Sequence, residues 1–227
     1  MATFLQIAQL AASETGVSST EPVSVTGNTG MLKRIVDWTA LSWIEIQTRR
    51  SDWRFMRLGF SFNTVNGQRY YTPTDAGVLA SFAFWREDTL RCYATAAGVA
   101  DRQDIEPWEW DEFRDTFLLN ADVLGRPTQF SVRPNDLAIA LDNVPNATGY
   151  TIDGDYVRKP QILANSTDVP IMPDQFHSLI AYRAMMKYAF FNSAPEIMAA
   201  AKAGWGELYP ALIRQQVPPL RMAKPLA

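Results

Sequence analysis

Residues 31 to 46 read MLKRIVDWTALSWIEI, and the spacing of their apolar side chains decides the fold class. Leu32, Ile35, Val36, Thr39, Trp43 and Ile46 fall on one helical face, while Met31, Trp38 and Leu41 carry the apolar arc past the roughly 100° stripe of a surface helix. So wide an arc calls for two neighbours: another helix of the same chain, and another subunit. The helix is expected to end near Arg50, where Arg49 and Arg50 suit the negative end of its dipole.

Upstream, Phe4, Ile7, Ala8 and Ala11 recur at i, i+3, i+4 and i+7 and predict a short helix. The stretch from Phe4 to Ala12 is too short to span a bilayer, lacks a basic lead-in and contains Gln6 and Gln9, so neither signal peptide nor anchor is expected. Thr15 to Gly30 is rich in Ser, Thr and Gly and reads as a loop, with Asn28 or Thr29 as the cap of the next helix.

Downstream of Leu58 the pattern changes to short runs between turns. Leu58 to Thr64, Asn66-Gly67 and Gln68 to Thr72 predict a hairpin with a type I′ turn. Val78 to Trp85, Thr89 to Ala96, Thr128 to Val132, Leu137 to Leu141 and Tyr150 to Arg158 predict further strands of one small, mostly antiparallel sheet. Trp110, Phe113 and Phe117 suit a short helix covering that sheet.

Helical spacing returns after Pro173 and Asp174, through Phe176, Leu179, Ile180, Arg183, Met186 and Phe190. Ser193 and Glu196 predict a capping box with Pro195 in the first turn, starting a helix through Ile197, Ala201 and Leu208 that Pro210 should kink or end. The expected class is α+β: a helical bundle formed by the N- and C-terminal helices with an inserted small antiparallel β domain. The expected segments are 1–57, N-terminal helices; 58–172, the β-rich insertion with its short helix; 173–213, C-terminal helices; and 214–227, an extended tail rich in proline and basic residues, without acids.

A chain of 227 residues, 47% apolar and 20% charged, can bury a real core, which excludes disorder and fibrous rods. The single cysteine and single histidine leave a zinc site without its usual soft ligands. Net charge is −3, which argues against a protein that works by neutralising phosphates. Residues 1–57 carry six basic and five acidic side chains, 58–174 nine and seventeen, and 175–227 six and two. The acidic middle is therefore expected to be a separate unit with different neighbours from the ends.

Seven carboxylates lie between Asp101 and Asp115: Asp101, Asp104, Glu106, Glu109, Asp111, Glu112 and Asp115. A carboxylate-based hydrolase or a hard-cation site could be built from such residues. Their alternation with Trp108, Trp110 and Phe113 favours instead a helix with a solvated acidic face and a buried aromatic one. His177, between Phe176 and Leu179, is expected to be a hydrogen-bonded interior histidine, and Cys92 a buried, inert thiol. Arg49, Arg50, Arg54 and Arg57 interleave with Trp53 and Phe55 as a nucleic-acid stacking groove would, although a helix end anchored by aromatics gives the same composition. No catalytic set, cofactor or metal site is expected.

Several phrases together carry a resemblance. They are Ser51-Asp52-Trp53-Arg54-Phe55-Met56, Trp110-Asp111-Glu112-Phe113-Arg114, Gly125-Arg126-Pro127-Thr128-Gln129-Phe130 and Tyr156-Val157-Arg158-Lys159-Pro160. Val169-Pro170-Ile171-Met172-Pro173-Asp174-Gln175-Phe176-His177 follows, running into Tyr182-Arg183-Ala184-Met185-Met186-Lys187-Tyr188. In this order and spacing the chain resembles the adaptor proteins of tailed bacteriophages from its first helix to about Pro219. The resemblance implies a structural protein without catalysis, located at the neck of the virion and assembled in the host cytoplasm. It implies a homo-oligomeric ring, expected to be a dodecamer, between the portal protein and a tail or nozzle protein. Genomic DNA would pass through its channel without sequence-specific binding, and no membrane partner is implied. On that basis Arg214, Val217, Pro218, Leu220 and Arg221 are expected to bind the portal, and Met31, Trp38 and Leu41 to form part of the subunit contact. Another neck or tail component, such as a stopper, a tail-completion protein or a baseplate adaptor, is the alternative reading.

Overall fold

The computed structural model describes residues 1–17, 21–78 and 81–218. The chain divides into two compact units, Met1–Met56 with the described residues from Pro160 onward, and Arg57–Lys159.

The first unit holds α1 (Phe4–Thr15), α2 (Gly30–Thr48), α4 (Ser178–Phe191) and α5 (Pro195–Gln216). Helix α1 starts at a capping box, in which the Thr3 hydroxyl accepts from the Gln6 amide and the Gln6 side chain accepts from the Thr3 amide. It buries the stripe Phe4, Ile7, Ala8 and Ala11. Helix α2 buries Ile35, Val36, Thr39, Trp43 and Ile46, the face that its spacing predicts. Helix α4 packs against each of the other three. Its buried side chains include Ala181, Ala184 and Ala189, small enough to let neighbouring backbones come close.

The buried side of α4 is rotated from the predicted one. Met185 is buried, whereas Arg183 and Met186 are half-buried and Phe190 is open to solvent. Between α4 and α5 the expected capping box does not form. Ser193 takes φ +52°, the left-handed region, and cannot offer the extended backbone of an N-cap. Helix α5 starts one residue later, from Ala194, with no side-chain cap. It also runs through Pro210 to Gln216, three residues into the segment expected as an extended tail. Burial of Leu212 and Gln216 beyond the proline explains why the helix continues.

The chain re-enters this unit at Pro160, so residues 160–172 group with the helices. The Gln47 side chain brackets the Gln161 main chain. Its amide nitrogen donates to the Gln161 carbonyl at 3.0 Å, and its oxygen accepts from the Gln161 N–H at 2.7 Å.

The second unit holds β1 (Arg57–Asn63), β2 (Tyr70–Tyr71), β3 (Phe82–Ala94), β4 (Gln103–Asp104), β5 (Glu106–Pro107), α3 (Trp110–Phe113), β6 (Gln129–Val132), β7 (Ile139–Leu141) and β8 (Tyr150–Arg158). Two sheets replace the single expected one, ordered β1-β8-β3-β4 and β2-β7-β6-β5. Both contribute to one core, in which Phe60, Trp85 and Tyr156 join Tyr71, Phe130 and Leu141.

The predicted hairpin is absent. Strand β1 pairs with β8 from Arg57↔Val157 to Asn63↔Thr151, and β2 pairs with β7. Gly67 takes φ +80°, but Asn66 stays out of the left-handed region, so the turn lacks the I′ geometry that would keep the strands together. Likewise the two strands expected at 78–85 and 89–96 are one, β3, interrupted by a bulge. Arg86 pairs with Asp155 and Arg91 with Asp153, which leaves Glu87 to Leu90 opposite Gly154 alone. Leu90 folds over that glycine, where an added Cβ would lie 3.2 Å from its Cδ1.

Helix α5 offers a direct test of packing. A Cβ on Gly204 would stand 2.6 Å from the Tyr182 ring of α4, while one on Gly206 meets nothing within 4 Å. Gly204→Ala is therefore expected to destabilise by about 1–3 kcal/mol through overpacking. Gly206→Ala should stabilise by about 0.5–1 kcal/mol through helix propensity alone. Urea unfolding of the two variants, compared with the wild-type midpoint, reads the opposite signs.

Candidate assembly surface

Helix α4 ends on two consecutive aromatics, Phe190 and Phe191, because Asn192 caps it and Ser193 turns the chain at once into α5. Adjacent helical positions point about 100° apart, so one buried face cannot take both rings. Phe190 is 84% exposed and Phe191 50%. Trp38 of α2 leans on Phe191, with ring centres 5.8 Å apart, and the Arg34 guanidinium lies 4.3 Å above the Phe191 ring.

Around these rings is an open groove of about 620 Å³ between α2, α4 and α5. Its apolar lining comes from Trp38, Met186, Phe190, Phe191 and Met198. Its polar lining is Arg34, Arg183, Lys187 and Lys202, all basic. A shallower hollow beside it shares Phe190 and Met198 and continues the apolar surface over the turn at Ser193 and Pro195.

Two of the four cations are held from behind by one carboxylate. Arg183 Nε donates to Glu45 Oε2 at 2.9 Å, and Lys187 Nζ donates to Glu45 Oε1. Burial pushes the Glu45 carboxyl up, but the hydrogen bonds and charges of Lys187 and Arg183 outweigh it and leave the group below its ordinary value. Arg34 and Lys202 are exposed.

Of the expected subunit-contact residues, Trp38 lines the groove. Met31 is half-buried on α2, and Leu41 is 45% exposed. Phe190, Phe191, Met198 and the basic rim escaped the sequence reading. The signal was the Phe-Phe pair immediately before the Asn-Ser break. Of the expected docking residues, Arg214 is exposed in the last turn of α5, and Val217 is the C-cap, with Pro218 half-buried after it. Leu220 and Arg221 lie outside the described residues.

The other sequence candidates are engaged within their own unit. His177 is buried; its Nε2–H donates to the Met172 carbonyl at 2.9 Å, and Nδ1 accepts from the Ala2 amide at 3.3 Å. Burial pushes the Cys92 thiol up to about 11. Asp101 accepts from Arg126 and the Ala94 amide, Asp104 pairs with Arg91, and Arg114 binds both Asp111 and Asp115. Among the described residues, no group of three or more His, Cys, Asp or Glu side chains is placed to hold a metal. Also among them, no helix is long and apolar enough to cross a membrane. Trp53 is fully buried, stacked 5.4 Å from Phe55, so it offers no platform to a base; Arg49 lies over Trp205 and Tyr209 instead.

An open apolar groove with a basic rim is the kind of surface that a second chain covers. The family model of the SU10 adaptor protein matches residues 2–224, and the chain belongs to this family of phage head-to-tail adaptors. No curated protein matches it.

The Glu45 pairs tie α2 to α4 across the back of the groove. Because the folded carboxyl sits below its unfolded value, its contribution is present above the unfolded value and is lost as pH falls through the folded one. Glu45→Gln is expected to destabilise by about 1 kcal/mol at pH 7, the pairs being partly screened by solvent. Urea titrations at pH 7 and pH 3 should show the gap between wild type and variant closing at the lower pH.

Proposed function

We propose that the protein assembles as a ring beneath the phage portal, connects it to the tail or nozzle, and surrounds the channel through which the genome passes. The observation that carries this reading is the apolar flank of the helical unit: exposed Phe190 and Phe191 beside the half-buried Trp38, with exposed Leu41 further along α2. An isolated soluble chain rarely leaves such a contiguous patch in water. A closed ring covers it, since each copy buries two different surfaces in heterologous contacts.

The C-terminal segment supports the portal contact. Residues 214–227 carry Arg214, Arg221 and Lys224 and three prolines, without an acidic residue. A segment of that composition suits binding by charge and by a few apolar anchors, here Val217 and Leu220. The net charge of −3, with its excess of acids in residues 58–174, suits a conduit along which DNA slides, because phosphate-binding surfaces would retain it. This role needs no catalysis and no cofactor.

Two variants separate the contacts. Deleting residues 214–227 is expected to abolish binding to purified portal, and undiminished attachment would remove the tail from the portal interface. Trp38→Glu should leave a folded chain, by circular dichroism, that no longer forms rings on the portal in electron micrographs.

A further inference from the structure

The groove has a complement on the same chain. In the β unit, the short α3 is followed by one π-helical turn, Arg114–Leu118, and then by six consecutive exposed residues, Leu119 to Leu124. Three of them are large and apolar: Leu119 is 75% exposed, Val123 61% and Leu124 65%. The sequence around them is acidic, with seven carboxylates against one arginine between Asp104 and Asp122.

This loop is held in shape from beneath. Arg69, its side chain only 9% exposed, pairs with Asp122 at 2.8 Å. The same guanidinium donates to the carbonyls of Phe117 and Asp142. At the far end, main-chain bonds between Val123, Val144 and Gly125 anchor the chain in a parallel bridge. A buried arginine at one end and a main-chain bridge at the other hold the backbone that carries three exposed apolar side chains, which lowers the ordering cost of a contact with a partner.

We propose that the α2–α4–α5 groove of one copy receives the Leu119–Leu124 loop of the next copy. Apolar lining meets apolar loop, and the basic rim meets the acidic surround. The two surfaces differ, so the contact is head-to-tail and repeats from copy to copy until a ring closes. The chain's own C-terminal segment is a poorer occupant, since Arg221 and Lys224 would bring like charge to the rim. This inference rests on the ring reading above and supplies its subunit contact.

The test is a charge swap on full-length chains mixed with portal. One variant carries Arg34→Glu and Lys202→Glu, the exposed half of the rim, leaving the Glu45 pairs intact. The other carries Glu112→Lys and Asp115→Lys, leaving the Arg69–Asp122 tether intact. Each alone should lose at least tenfold in ring yield by native mass spectrometry and electron microscopy. Mixed together they should regain it, because every contact in an alternating ring again joins opposite charges. Rescue by mixing also shows that both variants fold. As an independent readout, Phe190→Cys combined with Leu119→Cys should cross-link neighbouring copies in assembled particles.

Wild-type yield from both single variants, or no rescue on mixing chains that are folded by circular dichroism, overturns the groove–loop contact and leaves the ring standing. Rings that form normally from the rim variant but lose retention of DNA would assign the groove to nucleic acid and also overturn it. Failure of the wild-type chain to form any ring on portal sinks the ring reading itself.

Discussion

The helical unit depends on a polar clasp inside an apolar core. A chain that leaves a bundle and returns later must satisfy the backbone groups of the returning segment without a helix or a ladder to do so. Gln47, 1% exposed, supplies what a neighbouring strand would, a donor and an acceptor side by side for Gln161. The Gln161 side chain repeats the device. Its oxygen accepts from the Trp43 indole and the Ile171 amide, and its nitrogen donates to the Val169 carbonyl. One glutamine on α2 thus fixes residues 160–171, which carry the chain toward α4. An apolar replacement would leave two half-buried main-chain groups without that partner, at up to about 1 kcal/mol each.

Beyond that point the unit is organised around α4, and its weakness lies at the end of that helix. Alanines let the neighbours close on α4 through most of its length. Where the chain turns into α5 the packing runs out, and two phenylalanines are left beside a tryptophan and four cations. Glu45 balances part of that charge from inside. The helix end is thus the least covered aromatic part of the helical unit among the described residues.

The elements with strong periodicity were legible in the sequence. The stripe Phe4-Ile7-Ala8-Ala11 and the α2 face from Ile35 to Ile46 are buried as their spacing requires. Family resemblance read from ordered phrases such as Ser51 to Met56 agrees with the family to which the chain belongs. Illegible were the features decided by tertiary partners. Asn66-Gly67 advertises a hairpin, yet β1 finds its partner in β8, almost ninety residues away along the chain. Glu87 to Leu90 breaks the alternation of β3 because Gly154 gives Leu90 room to fold back. Pro210 signals a stop that burial of Leu212 overrides. Of the groove, only Trp38 was foreseen, since its other walls are side chains of α4 and α5 brought together by a turn whose left-handed Ser193 no pattern announces.

The pairing of Arg57 with Val157 has a consequence for how such a protein changes over time. The stretch from 57 to 159 begins and ends on hydrogen-bonded neighbours, so the chain enters and leaves this unit on adjacent strands. Whatever lies between those two points can lengthen, shorten or be exchanged for a foreign module while the clasp at Gln47 stays shut. Related chains then have a place to diverge without rebuilding the helical core.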